Sequence, residues 1–263
     1  MVALGVIKKS KKFWLTTNMF TGYYQSRFLR SEVKIVQNIV YWLFVCCLPV
    51  LLITSTICWE VNVLRLYEYG FDKYEISQVT GIDRLQLKGV AQHLIDYFNK
   101  KEETAQITVV KRTGKMSLFN KRELMHLDDV RNLIQLDYWV QRAAFLLAVI
   151  CALVLLLGFR AGWRITVKGL YWGGLITVGL VVVLALWAFF DFERFFILFH
   201  LASFRNEYWM LDPARDYLIR LFPEGFFYDA ALFGFGAVIL EALLISGIAF
   251  GTLRLVGWKK LGN

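Results

Sequence analysis

The chain has 263 residues, 57% of them hydrophobic and 16% aromatic, with a formal net charge of +9. Apolar content this high excludes an ordinary soluble domain. The positive charge lies at the edges of the apolar runs, where it reads as membrane topology and not as a nucleic-acid footprint.

The expected class is a mainly α membrane protein, a four-transmembrane-helix bundle with a small extracytoplasmic α/β cap. A helix rises about 1.5 Å per residue, so a bilayer crossing needs about 20 apolar residues. Residues 1–37 form a basic leader, with Lys8, Lys9, Lys11, Lys12, Arg27, Arg30 and Lys34 against the single acid Glu32. The leader is too long and too aromatic for a cleavable signal, and no small-residue cleavage site follows, so the first span, 38–59, is expected to act as an uncleaved signal anchor.

Residues 60–138 hold twelve basic and twelve acidic side chains and are expected to form the cap. In "TGIDRLQLKGVAQHLIDYFNK", Leu85, Val90, Leu94, Ile95 and Phe98 fall close to helical spacing, with Asp83 as N-cap. His93 on that helix reads as a solvated surface side chain. Ile107 to Val110 and Met116 to Phe119 read as a hairpin turning at Thr113 and Gly114. No Gly or Pro occurs from Lys121 until Gly158, so one helix, or two joined without a break, leads from the cap into the second span, 139–159.

Within that stretch, "NKRELMHLDDVRNLI" puts Arg122 four residues before His126 and Asp129 three after it, on one helical face. A carboxylate beside an imidazole fixes its tautomer and raises its basicity. The plainer reading is a solvated charged face. A metal reading of His126, Asp128 and Asp129 needs more ligands than the stretch offers, and neither a metal nor a cofactor is expected.

A short loop, 160–168, carries Arg160, Arg164 and Lys168 and no acid; the third span is 169–190. Residues 191–229 hold four basic and seven acidic side chains and are expected to be an extracytoplasmic interfacial segment. Its "FILFHLASFRNEYWMLDP" sets His200 in an apolar, aromatic run, with Ser203 three residues on, Asn206 beyond, and Asp212 and Pro213 stopping the helix. A histidine in such surroundings is costly to bury unless it has a partner or a task.

The fourth span, 230–252, carries Glu241 near its middle, where an acid costs about 2.5–3.5 kcal/mol and is functional or paired by default. Gly247 and Gly251, with Gly173, Gly174 and Gly179 in the third span, read as close packing inside the bundle. The tail, 253–263, adds Arg254, Lys259 and Lys260. Positive flanks place the leader, the short loop and the tail in the cytoplasm and both long connections outside. Cys46, Cys47, Cys58 and Cys151 all fall in apolar runs, as packed thiols and not as a disulfide framework.

No GxSxG elbow is present. A serine three residues from a histidine on one helix marks support, so general acid–base work by histidine fits better than a serine nucleophile.

At "RELMHLDDV" and "FHLASFRNEYWMLDPARDYLIRLFPEGFF" the chain resembles the bacterial lipoprotein intramolecular transacylases, the Lit family. The resemblance covers most of the chain from the first span onward. It implies a plasma-membrane enzyme, with its active site on the outer face, that converts diacylglyceryl lipoproteins to the lyso form. The sn-2 acyl chain moves from the glyceryl group to the amino group of the terminal cysteine. It also implies that two histidines carry the activity, and these map onto His126 and His200.

Diacylglyceryl-modified lipoproteins and membrane lipids are then the expected partners. His200 is expected as base and His126 as the group donating to the leaving oxygen or the oxyanion, with the roles exchangeable. Ser203, Asn206 and Arg122 are candidate oxyanion donors, and Asp129 a candidate to orient His126. A non-catalytic membrane scaffold binding lipid or lipoprotein is the competing reading. Shared proton transfer requires the two rings to lie within about 10 Å at a lipid-accessible crevice. A straight helix to Gln141 would leave His126 roughly 22 Å above that residue.

Overall fold

In the computed structural model the described residues are 3–111, 114–160 and 162–258, with side chains described inside 32–255. The basic side chains of the expected leader from Lys8 to Arg30, the turn residue Thr113, and Lys259 and Lys260 of the tail lie outside the described residues.

Helix α1 (Ala3–Asn62) carries the first apolar run. Two short helices follow, α2 (Leu64–Lys73) and α3 (Ile76–Thr80), the second bounded by left-handed residues at Glu75 and Gly81. Helix α4 (Arg84–Phe98) is the expected amphipathic helix, its N-terminus closed by Asp83, whose carboxylate accepts from Leu85 N at 2.9 Å. Leu87, Val90, Ala91, Leu94, Ile95 and Phe98 are buried on its inner face, whereas Leu85 is exposed.

Strands β1 (Thr108–Lys111) and β2 (Gly114–Ser117) pair antiparallel, Thr108 opposite Ser117. The Gln86 side chain bonds both Val110 N and Val110 O, so it occupies the position of a third strand. Leu118 and Phe119, expected in the second strand, lie beyond its last residue, Ser117; Leu118 N still donates to Ile107 O at 2.9 Å, and both side chains enter the cap core.

Helix α5 (Lys121–Gly158) is a single helix of 38 residues, about 57 Å long and so about twice the hydrocarbon thickness. Its charged half, 121–138, belongs to the cap, and its apolar half forms the span. Helix α6 (Gly162–Phe190) is followed by α7 (Phe192–Ser203), α8 (Tyr217–Leu221) and α9 (Glu224–Trp258). Among the described residues four helices are long and apolar enough to cross a membrane: α1 from Glu32 to Asn62, α5, α6, and α9 to Leu255.

The spans pack with α6 against α9 and α1 between α5 and α6. At Gly174 the approach is so close that an added Cβ would come within 2.7 Å of Ala242 O and 2.1 Å of Ser246 Oγ. Gly179, Gly247 and Gly251 differ from the expectation of bundle packing: an added Cβ at any of them meets nothing within 4 Å among the described residues. All four cysteines are free, Cys47 and Cys151 buried and Cys46 exposed.

A second core, formed by α2, α3, α4, the hairpin, the first half of α5 and α8, includes Tyr97, Leu94, Val109, Leu118 and Leu221. The cap is anchored to the start of α9, where Lys73 and Tyr74 bond Asp229 at 2.5 and 2.8 Å. Phe226 occupies the space over Gly70.

Candidate active site

The start of α5 is held by a capping box. Asn120 accepts from Arg122 N and Glu123 N, and Glu123 Oε2 accepts from Asn120 N at 2.7 Å. The other oxygen of Glu123 accepts from Leu218 N at 2.6 Å, and the residue is only 1% exposed. One carboxylate thereby satisfies the N-cap donor of its own helix and a buried backbone donor 95 residues away, and burial weakens its acidity. Asp216 completes the junction, accepting from Asn120 Nδ2 and Asp212 N, both at 2.7 Å.

The face of α5 that carries Arg122, His126 and Asp129 lies against the end of α7 and the turn after it. Arg122 donates to Glu207 O at 2.6 Å, and Asp129 accepts from Asn206 Nδ2 at 2.8 Å. Asn206 Oδ1 in turn accepts from Tyr208 N, which fixes the turn locally. Between these two anchors, the His126 ring meets His200 with centroids 6.0 Å apart and planes inclined by 35°. Asp129 therefore acts on His126 through its charge, while its hydrogen bond goes to Asn206. Ser203 ends α7, one turn beyond His200.

His200 is oriented by its own helix. Its Nδ1 lies 2.8 Å from the carbonyl of Phe196, and a carbonyl only accepts, so Nδ1 carries the proton and Nε2 the lone pair. The rings of Phe196, Phe199, Phe204 and Trp209 surround it, with centroids 4.2 to 5.6 Å away. Phe204 also packs edge-on against His126.

Both histidines are 7% exposed. Little of the expected crevice is open: Phe204 packs on both rings and Trp209 on His200. His126 Nδ1 is buried without a hydrogen-bond partner among the described residues.

Burial sets the electrostatics. Desolvation, with His200 second, pushes His126 down to about 4, against the opposing charge of Asp129. Desolvation also lowers His200, opposed by its bond to Phe196 O. Both rings are neutral near pH 7, one with a lone pair on an oriented nitrogen.

The surface beside them is apolar. Ile197, Leu198, Phe199, Leu201 and Met210 are all exposed, the pattern of a helix that lies in a membrane interface. The apolar exposed surface of α5 begins at Leu136 and Trp139, below the His126 level. Because α5 is unbroken, it is the α7 segment that brings His200 to His126.

Sequence spacing pointed to both histidines and to Arg122, Asp129, Ser203 and Asn206. It missed Glu123, Phe204, Trp209 and Asp216. Asn120-x-x-Glu123 is a readable capping signal; the partners of the others come from tertiary packing.

A family model described as lipoprotein intramolecular transacylase Lit matches residues 42–227. A protein of Aquifex aeolicus (strain VF5), described as uncharacterized, is 29% identical over 124 residues, 46% of this chain and 51% of that one. The chain thus spans about half the length of the curated relative it matches.

The in meso structure of the membrane integral lipoprotein intramolecular transacylase Lit from Bacillus cereus is similar with a TM-score of 0.70 and 23% identity, over 88% of this chain and 100% of that one. The same protein with a histidine replaced by arginine gives a TM-score of 0.71 at 21% identity, over 90% and 100% of the two chains. At these identities the likeness establishes the fold.

Proposed function

The chain belongs to the lipoprotein intramolecular transacylase Lit family, and from that premise we propose that it moves the sn-2 acyl chain of a diacylglyceryl-modified lipoprotein to the α-amino group of its N-terminal cysteine. The observation that carries this reading is the pair of buried, neutral imidazoles with centroids 6.0 Å apart, held between the Arg122 and Asp129 anchors.

The amine nitrogen attacks the sn-2 ester carbonyl, a C–N bond forms, the C–O bond to glycerol breaks, and one proton passes from nitrogen to the glyceryl oxygen. Amine and ester belong to one molecule, so proximity comes largely from the substrate, and no acyl-enzyme is needed. Nε2 of His200 takes the amine proton and returns it to the leaving oxygen. His126, unpartnered at Nδ1, is placed to stabilise the oxyanion or to assist the same proton.

Entry of the glyceryl group displaces Phe204 and Trp209 from the gap, on the side where the apolar face of α7 meets the acyl chains. The positive flanks support an orientation in the bacterial plasma membrane with both termini in the cytoplasm and the cap and site outside.

The product is an isomer of the substrate, so its mass is unchanged. The test is therefore tandem mass spectrometry of a synthetic diacylglyceryl-cysteinyl peptide incubated with the protein in a bilayer. Fragments carrying an acyl chain on nitrogen and lyso-glyceryl on sulfur are expected. Unchanged substrate, or the same binding and cellular effect after His200→Gln, would favour a lipoprotein-binding scaffold.

A further inference from the structure

Helix α9 carries one ionisable side chain in its apolar run, Glu241, and it lies on the wrong side for the bundle. The packed side of α9 presents Val238, Ala242, Ser246 and Ala249, all buried. Glu241 is exposed, as are Leu240, Leu243, Leu244 and Ile248 around it. In a bilayer this face meets acyl chains, which offer an acid no hydrogen bond.

Ala237, Glu241, Leu244, Ile248 and Gly251 recur at alternating steps of four and three residues, the repeat of a left-handed helix pair. None of the five is buried. Space above Gly247 and Gly251 is open to 4 Å, so another backbone can approach there closely.

The chemistry of Glu241 selects the occupant. The spans 38–59, 169–190 and 230–252 contain no Lys or Arg, and the second span has only Arg142, near one end. No other face of this chain therefore offers a cation at mid-depth. A carboxyl group is its own complement, since of two such groups sharing a proton one donates and the other accepts. A two-fold axis brings any residue close to it on one protomer against its own copy.

We propose that α9 is the interface of a homodimer within the membrane, in which the two Glu241 side chains share a proton across the two-fold axis. Each histidine site is complete within its own protomer.

The test is energy transfer between donor- and acceptor-labelled full-length protein in phosphatidylethanolamine/phosphatidylglycerol vesicles, over a range of protein-to-lipid ratios. Wild type is expected to pair above random proximity, Glu241→Leu to weaken pairing about tenfold, and Gly251→Leu to weaken it as well. Glu241→Gln, whose amide both donates and accepts, should keep most of it. Unchanged thermal unfolding of Glu241→Leu separates lost pairing from misfolding. Wild type at random proximity at every ratio, or Glu241→Leu pairing as wild type does, would overturn the proposal. Because the readout is association, such a failure leaves the proposed reaction untouched.

Discussion

Asn206 donates to Asp129 at 2.8 Å, one helical turn beyond His126, and so fixes the turn after α7 to the helix that carries the first histidine. Trp209 and Phe204, which pack on the imidazoles, lie on the same turn. Asn206→Leu is expected to lower turnover about tenfold to a hundredfold, because misplacing a reacting group by about 1 Å costs that much. Asp129→Asn keeps an acceptor and removes the charge, so its loss should be smaller. Initial rates on the lipopeptide decide this; a larger loss in Asp129→Asn would make the charge on His126 the dominant contribution.

The two histidines should differ from all their neighbours in the size of the effect. Removing a general base costs about 10² to 10⁴ in rate, and His200→Gln should fall in that range while the protein still folds, since a buried amide can keep a bond to Phe196 O. His126→Gln should also lose turnover. Rates measured with protein whose melting is unchanged make the comparison. A His200→Gln variant within a few-fold of wild type would remove His200 from proton transfer.

His126 also makes stability depend on pH. Its folded value, about 4, lies below the ordinary value of 6.5, so the unfolded chain takes up the proton first. The associated stability is complete above about 6.5 and is lost as pH falls towards about 4. Thermal unfolding in lipid should therefore drop across that window, and His126→Phe should flatten the drop. A wild-type midpoint that is constant from pH 6.5 to 4 would contradict the burial of a neutral ring.

Glu123 supports the buried donor Leu218 N and the N-cap donor Asn120 N, and so should be one of the most sensitive positions in the cap. Each stranded buried donor costs about 1–3 kcal/mol. Glu123→Ala is expected to lose about 2–5 kcal/mol in all, and Glu123→Gln less because it retains one acceptor. Denaturation in lipid or mild detergent measures both. Equal losses would mean that the missing carboxylate acceptor, and not the cavity left by alanine, dominates.

Between the spans, Gly174→Ala places a Cβ 2.7 Å from Ala242 O, which is backbone and cannot swing aside. Overpacking of this kind costs about 1–3 kcal/mol. The expected result is a lower melting temperature, whereas Gly179→Ala, with open space above it, should leave melting unchanged or raise it.

Much of the architecture was readable before the structure because its causes are local. Apolar runs of span length, the Asp83 cap and the unbroken Lys121–Gly158 helix all follow from adjacent residues. The hairpin followed too, but its second strand ends at Ser117, one residue after which Leu118 keeps a backbone bond to Ile107 O while its side chain turns into the cap core.

The site was legible in its residue types and not in its contacts. Helical spacing placed Arg122, His126 and Asp129 on one face, yet which of them meets Asn206, Glu207 or His200 depends on how α7 folds back. Gly247 and Gly251 show the same limit: apart from Glu241 the run 230–252 is apolar all round, so periodicity does not say which side packs, and the glycines lie on the open one.

The most direct measurement of the central claim is a crossover experiment with two lipopeptides of different peptide mass, one carrying a deuterated sn-2 acyl chain. Paired neutral imidazoles moving a proton within one folded substrate should leave every deuterated chain on the peptide it began with, and His200→Gln should suppress product from both. Deuterated chains on the partner peptide, or a deuterated acyl group trapped on the protein, would contradict the account.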